Sequence, residues 1–328
     1  MIRFGVIGTN SITEKFIKSA CQNDKFQLNA VYSRTSERGK EFALKYGVDN
    51  VYTSLDEMAQ SSDIDAVYIA SPNSCHGNQS LIFLENKKHV LCEKPIASNL
   101  KELDAMIASA KKNKVLLMEA MITSFLPNFK SIKDNMHKIG KIRRYYGTYC
   151  QYSSRYDKYK NGENPNTFNP EFSNGSIMDI GIYCIYPLIQ LFGEPKSITA
   201  KGVLLDSGVD GEGSILLEYD DMDAVITHSK IANSALSSEI QGELGQILIN
   251  QLPLLKEINI NYRNGDIEDI NICQDKLPMY YELTEFINLI ESGKIESDIN
   301  TYEISRIVMN VLETSRKQMG VLFPCDID

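Results

Sequence analysis

Ile2-Arg3-Phe4-Gly5-Val6-Ile7-Gly8-Thr9-Asn10-Ser11-Ile12-Thr13 opens the chain. Residues 3–7 form a short apolar run, Gly8 punctuates it, and residues 12–21 carry the spacing of an amphipathic helix. A strand that turns sharply into a helix is the first half of a β-α-β unit. The rhythm continues outward. Residues 26–32 read as a strand and 37–46 as a helix stopped by Gly47; 66–70 is a third apolar run, followed by a helix over 76–85. Short strands over 89–92 and 115–118 flank a helical stretch over 101–112. Each strand is nearly all apolar, as expected where helices cover both faces of a parallel sheet. The expectation is an α/β, doubly wound domain over residues 1–120.

After Glu119 the pattern changes. Residues 125–137 and 177–191 look helical, 141–151 looks like a strand, and 161–174 is an Asn-, Pro- and Gly-rich loop. Strand-like runs follow in sequence at 198–205, 214–219, 224–229, 247–250 and 258–262, then helical patterns at 279–291 and 302–319. Consecutive strands with Gly, Asp and Asn turns predict an antiparallel sheet in an α+β second domain, residues 121–328.

Composition narrows the function. The 328 residues carry a net charge of −9, which repels phosphate backbones and argues against a nucleic-acid partner. Seven cysteines, an odd number without a C-x-x-C pair, read as reduced thiols of a cytoplasmic protein. The first residues enter a strand instead of a signal-peptide layout, and Pro187 and Gln190 interrupt the apolar stretch near residues 183–192, so no membrane segment is expected. The four histidines fall in no metal-ligand spacing, and no metal is expected.

The turn departs from the dinucleotide-binding pattern G-x-G-x-x-G: Asn10 and Thr13 stand at the second and third glycines. Gly8 suits the tight turn. Asn best tolerates a left-handed backbone among non-glycine residues, so Asn10 is read as a substitute glycine. Thr9, Asn10, Ser11 and Ile12 would line a pyrophosphate at the helix N-terminus, with hydroxyls of Ser11 and Thr13 as added donors. At the end of the second strand, NAD sites place a carboxylate for the ribose hydroxyls. Here Ser33-Arg34-Thr35-Ser36 stands instead, with Arg38 behind it. A guanidinium pairs bidentately with a phosphate, so Ser33, Arg34 and Arg38 point to NADP, with NAD as the lesser option.

Ala70-Ser71-Pro72-Asn73 ends the third apolar run, His76 opens the next helix, and Lys88-His89-Val90-Leu91-Cys92-Glu93-Lys94-Pro95 follows. With these segments the chain resembles the glucose–fructose oxidoreductase / inositol dehydrogenase / rhizopine-catabolism (Gfo/Idh/MocA) family along nearly its whole length. The resemblance implies a Rossmann domain, then a domain with a large open, mainly antiparallel sheet that often mediates dimerisation. It implies an active site between the two domains, over the nicotinamide, with Ser71, Pro72, Asn73, His76, Glu93 and Lys94 at the cofactor. Lys94 would contact the substrate oxygen that gains or loses a proton; Glu93 and Pro95 would position the loop.

A second matching segment is Gly175-Ser176-Ile177-Met178-Asp179-Ile180-Gly181-Ile182-Tyr183, the tyrosine version of the family's Asp-x-Gly-x-His/Tyr. It looks more like sugar dehydrogenases and dimeric dihydrodiol dehydrogenase than like inositol dehydrogenase. Asp179 and Tyr183 are four apart on a helical stretch and share a face. By the resemblance Lys94, Asp179 and Tyr183 are catalytic. Loss of hydride from an alcohol is coupled to loss of its hydroxyl proton. Tyrosine, with a pKa of about 10, is a poor base unless an ammonium such as that of Lys94 favours the phenolate. Either Tyr183 or Lys94 would exchange the proton, with Asp179 orienting.

Two departures bear on the pocket. Ser124 and Leu126 stand where many relatives carry arginine and histidine. Arg155 and Tyr156 leave the 141–151 strand among hydroxyls; they line a substrate pocket or a polar sheet edge. The expected function is oxidoreduction of a small sugar, polyol, inositol-like or dihydrodiol substrate by a homodimer or homotetramer. The alternatives are a non-catalytic sensor of the same fold and an NAD-dependent glycosidase.

Overall fold

The computed structural model describes residues 1–327, which form two compact units. The first joins residues 1–121 to 275–305; the second joins 122–274 to the segment from 306 onward. The division therefore differs from a single cut after residue 120, because the chain returns to its first unit.

The first unit alternates as the sequence predicts: β1 (Ile2–Ile7), α1 (Ser11–Ala20), β2 (Phe26–Tyr32), α2 (Ser36–Leu44), β3 (Asn50–Tyr52), α3 (Leu55–Gln60), β4 (Ala66–Ile69), α4 (His76–Glu85), β5 (His89–Glu93), α5 (Leu100–Asn113) and β6 (Leu117–Ala120). The strands pair in parallel in the order β3-β2-β1-β4-β5-β6. This order reverses beside β1, where ligands of such sheets bind at the carboxyl ends of the strands. The three-residue β3 and the polar α3 carry too little apolar pattern to be read from sequence. An aromatic core seals the sheet: Phe4 lies 5.1 Å from Phe26, and Phe16 stacks on Tyr68 at 3.7 Å. The returning helix α9 (Met279–Glu291) adds Phe286 at 5.9 Å from Phe4. Lys25 pairs with Glu291 at 2.6 Å, and Asn23 donates to Thr284 at 3.0 Å. Buried Leu283, Phe286 and Ile287, at about 1.5–3 kcal/mol each, explain why this helix belongs to the first unit.

The second unit holds α6 (Pro127–Asn135), β7 (Ile142–Cys150), α7 (Tyr156–Lys160), α8 (Ile182–Phe192), β8 (Ser197–Leu204), β9 (Asp210–Glu218), β10 (Asp223–Ser229), β11 (Ser238–Gly242), β12 (Gly245–Asn250), β13 (Glu257–Tyr262) and β14 (Ile267–Asp269). Helix α10 (Tyr302–Gln318) begins in the first unit and continues here. Eight strands pair in the order β14-β13-β12-β11-β7-β10-β9-β8. The sheet is mainly antiparallel; β7 and β10 are its parallel pair. Alternation buries one face, including Tyr145, Ile215, Leu217, Ala224, Ile226, Ile240 and Ile247, and α8 packs on β7 and β10. Pro170–Phe192 is long and apolar enough to cross a bilayer by composition, but 72% of its most apolar window is buried inside the protein.

Candidate active site

At the β1–α1 turn, Gly8 has φ +110°, and a Cβ there would lie 2.8 Å from the Ala70 carbonyl oxygen. Only glycine fits. Asn10 is not a stand-in for glycine: its backbone is extended, with φ −106° and ψ 178°. It is the N-cap of α1. Its Oδ1 accepts from the Ile12 and Thr13 amides at 3.1 Å each, and its Nδ2 donates to Ala70 O at 2.7 Å. Thr13 is fully buried and its hydroxyl donates to Asn10 Oδ1 at 3.2 Å, so it faces the cap and not a ligand. Ser11 is exposed.

Arg38 closes on this turn from α2, donating from Nε to Thr9 Oγ1 at 2.7 Å and from Nη2 to Thr9 O at 3.1 Å. Ser33 is buried, with its amide on Tyr52 O at 3.0 Å. Arg34 is exposed and near the Cys75 thiol, which burial pushes up and the Arg34 charge draws down. No carboxylate stands between Ser33 and Ser36.

At the end of β4, Ser71 Oγ donates to Gln79 at 2.7 Å, and Pro72 and Asn73 lead into α4 half-buried. His76 is 1% exposed. Its Nδ1 lies 2.9 Å from Pro95 O and its Nε2 3.0 Å from Ser71 O. Both ring nitrogens face main-chain carbonyls, so the ring stands between the end of β4 and the Glu93-Lys94-Pro95 loop; in its neutral form it carries one N–H and donates to one of the two. Burial lowers its pKa, and the nearby Lys94 charge acts the same way against the two carbonyls. The Lys94–Pro95 peptide is cis.

Behind that loop lie three buried carboxyls. Glu93 accepts from the Tyr68 hydroxyl. Glu119 accepts from the Ile96 amide at 3.0 Å and from Ser305 Oγ at 2.8 Å; burial raises its pKa to about 7. Glu282, on α9, is fully buried, and its two oxygens find no partner among the described residues. Burial, reinforced by Glu93, holds it well above the ordinary carboxyl range. Sequence reading missed Glu119 and Glu282. Glu119 carried a signal, a lone acid in an apolar run at the end of β6, whereas Glu282 shares its stretch with Glu285 and carried none.

In the second unit, Gly175 has φ +134°, and a Cβ there would stand 2.3 Å from Asp210 Oδ1. Asp210 Oδ2 accepts from the Ile177 amide at 2.7 Å. The expected continuous helix is two pieces: Ile177–Gly181 is a π-helical turn, and α8 follows. Such turns are frequent at functional sites. The turn rests on His228, whose ring would touch a Cβ on Gly181 at 3.3 Å and whose Nδ1 lies 2.9 Å from Ser176 Oγ. His228 and Asp210 approach at 3.7 Å, the distance of an ion pair. Burial, however, raises Asp210 to about 7 and lowers His228 to about 3, so histidine is neutral throughout the neutral range and the pair is not ionic.

Asp179 pairs with Lys230, the residue after β10. Half-buried Tyr183 meets Tyr149 edge to face, with centroids 5.8 Å apart. His228 pairs with Tyr149, and Ser229 with Cys150, in the β10–β7 register. Asp179 and Tyr183 thus rest on the same end of one strand pair. Lys230 was missed; a lysine closing an apolar strand was its only signal. Arg155 and Tyr156 lie elsewhere in this unit. Arg155 Nη1 donates to Thr167 at 3.0 Å, and Tyr156 packs among Tyr152, Tyr159 and Phe168. A cavity of about 760 Å³ lined by Tyr156, Tyr159, Leu204 and Ser207 includes neither Asp179 nor Tyr183. Ser124 is buried, with its Oγ on Gln190 at 2.9 Å, and Leu126 is 2% exposed; both serve the interior of the unit. Among the described residues no cluster of His, Cys, Asp and Glu could hold a metal ion.

The model of the GFO_IDH_MocA family, an oxidoreductase family with an NAD-binding Rossmann fold, matches residues 2–121, and that of the GFO/IDH/MocA C-terminal domain matches residues 135–248. The chain is 53% identical over 326 residues to scyllo-inositol 2-dehydrogenase (NADP(+)) IolU of Bacillus subtilis, covering 99% of each protein. It is 30% identical over 339 residues to trans-1,2-dihydrobenzene-1,2-diol dehydrogenase of Xenopus laevis, covering 98% of this chain and 99% of that one. Among solved structures, aldose-aldose oxidoreductase from Caulobacter crescentus superposes with a TM-score of 0.85 at 21% identity, covering 97% of each chain. At that identity the likeness shows the fold.

Proposed function

The chain belongs to the GFO/IDH/MocA family of NAD(P)-dependent oxidoreductases, and from that premise we propose that it oxidises one ring hydroxyl of a cyclic polyol of the scyllo-inositol type, with NADP preferred. The observation that carries this reading is the full-length 53% identity to an NADP-dependent scyllo-inositol dehydrogenase. The residues fit the cofactor. Gly8 keeps the first turn tight, residues 33–36 offer no carboxylate to repel a 2′-phosphate, and exposed Arg34 supplies a guanidinium. Arg38 acts by holding Thr9.

NADP, when bound, supplies the hydride acceptor. The protein's own task is to hold the ring and move one proton. We assign proton exchange at the reacting oxygen to Tyr183, with Lys94 as the alternative donor. Asp179 accepts a hydrogen bond from a substrate hydroxyl. His76, Glu93 and Glu119 hold the Lys94 loop. We further assign a homodimer in the cytoplasm. The sheet face that leaves Leu216 49% exposed is its contact, and the seven cysteines are free thiols.

The test is NADP⁺ reduction at 340 nm with scyllo-inositol, with trans-dihydrobenzenediol and glucose as comparators. Turnover that is fastest with scyllo-inositol and favours NADP⁺ over NAD⁺ supports the reading. Tight NADPH binding without turnover of any of the three would shift it to a sensor of the same fold. Light scattering tests the dimer.

A further inference from the structure

Lys230 is buried at 7% exposure, and its backbone is fixed on both sides. Its amide donates to Gly211 O at 2.9 Å, and its carbonyl accepts from Ser153 N at 2.8 Å. Its ammonium bonds Asp179 Oδ2, and the Asp179 side chain is the more open partner, 33% exposed against 9%. A lysine this buried is costly unless paired. The pair is therefore built into the fold, with the lysine inside and the carboxylate toward solvent.

The elements packed against the π-helical turn are β7, β9, β10 and α8. Their titratable groups at this end of the sheet are Tyr149 and Cys150 from β7, Asp210 and Glu212 from β9, His228 from β10 and Tyr183 from α8. Arg143 and Arg144 stand at the far end of β7, paired with Glu243 and Asp223. Asp210 also feels the Lys230 charge, but its Oδ2 is occupied by the Ile177 amide. His228, held neutral by burial, adds no competing charge.

We propose that Lys230 is a positioning residue that fixes Asp179 as an ionised, oriented hydrogen-bond acceptor for a substrate hydroxyl and keeps it out of the proton-transfer role. The inference rests on Asp179 facing substrate, as assigned above. An ammonium in contact with a carboxylate stabilises the charged form and weakens it as a base. Orientation and proton exchange are thereby divided between Asp179 and Tyr183.

The experiment compares Lys230→Met and Lys230→Arg with wild type, measuring kcat and KM for scyllo-inositol with NADP⁺ from pH 5 to 9. Lys230→Met is expected to lower kcat/KM about 10²-fold at neutral pH, chiefly through KM, and to move the acid limb of the profile up by about one pH unit as Asp179 loses its counter-charge. Lys230→Arg restores most of the loss, and NADPH affinity by calorimetry is unchanged in both. A uniform loss at every pH, or no rescue by arginine, overturns the proposal. A second measurement needs no turnover: in protein labelled with ¹³C at the aspartate carboxyls, the resonance assigned through Asp179→Asn should titrate at higher pH in Lys230→Met than in wild type. Equal midpoints overturn the proposal. Failure of wild type to oxidise scyllo-inositol would overturn the functional reading alone.

Discussion

The Lys94 loop and the Asp179–Tyr183 turn are supported in different ways. Behind Lys94 lie groups that burial drives toward neutrality: Glu119, Glu282 and His76. Glu119 and His76 meet the loop at main chain, at Ile96 N and Pro95 O, and the Lys94 charge acts on both. The turn also has a neutralised layer beneath it, Asp210 and His228, but adds a buried ion pair, Lys230–Asp179, at its surface. The first arrangement sets the Lys94 loop on a layer of groups held toward neutrality. The second ties the Asp179 carboxylate to a buried ammonium. We take this difference to favour the proposed division, with chemistry at Lys94, aim at Asp179 and proton transfer at Tyr183.

The largest effect should come from Tyr183→Phe. It removes the hydroxyl and keeps the ring that meets Tyr149, so turnover should fall about 10²–10⁴-fold while NADPH affinity holds. Steady-state kinetics with calorimetry checks this; a mutant retaining most of its turnover would move the proton to Lys94 and break the division.

The neutralised layers predict a shared pH window. Glu119 and Asp210 are raised to about 7 in the fold, above their ordinary values. The folded state therefore keeps protons that the unfolded chain has released. Their stabilising contribution is full below about pH 4 and is lost as pH rises through 7. Glu119→Gln and Asp210→Asn keep an acceptor oxygen for Ile96 N and Ile177 N without the titration. Each should flatten the fall in melting temperature between pH 5 and 8 and gain on the order of 1–3 kcal/mol at pH 8. Unchanged slopes in one variant would show that only the other region has a neutral layer.

Arg34→Ala should weaken NADPH about 10–100-fold, the loss of one or two charge-assisted hydrogen bonds, and leave NADH nearly unchanged. Equal weakening of both would deny that residues 33–36 read the 2′-phosphate.

How much of this was legible in the sequence follows the distance over which each residue finds its partner. The parallel sheet and the Lys88–Pro95 string are local patterns, and the expectation at Lys94 comes from that string through the family resemblance. Lys230 finds Asp179 across 51 residues, and Glu282 reaches the Glu93 neighbourhood only because α9 returns to the first unit. No local periodicity encodes either. The sequence predicts ordinary helix over the π-turn, and the groups beside it are distant in sequence: a Cβ at Gly175 would meet Asp210, and one at Gly181 would meet His228. Arg38 is expected at the cofactor from its residue type, and what the fold adds is that its guanidinium holds the turn through Thr9.

Asn10 gives the smallest effect and separates two explanations of the first turn. If it substituted for a flexible glycine, Asn10→Gly would be neutral. As an N-cap in extended backbone it holds two α1 amides, and its Nδ2 binds Ala70 O. Asn10→Ala should then cost about 1 kcal/mol. Asn10→Gly should also lose stability, because the bond to Ala70 goes even where glycine is a tolerable cap. Asn10→Asp keeps the cap acceptor and loses the donor to Ala70. It also places a negative charge at the helix terminus where a pyrophosphate would dock, so it should weaken NADPH and NADH alike, in contrast to the one-sided effect at Arg34. Thermal denaturation ranks the three variants. Cofactor titration of Asn10→Asp decides whether this end of α1 is an anion site, because an unchanged affinity for both nucleotides would mean that the phosphates do not approach it.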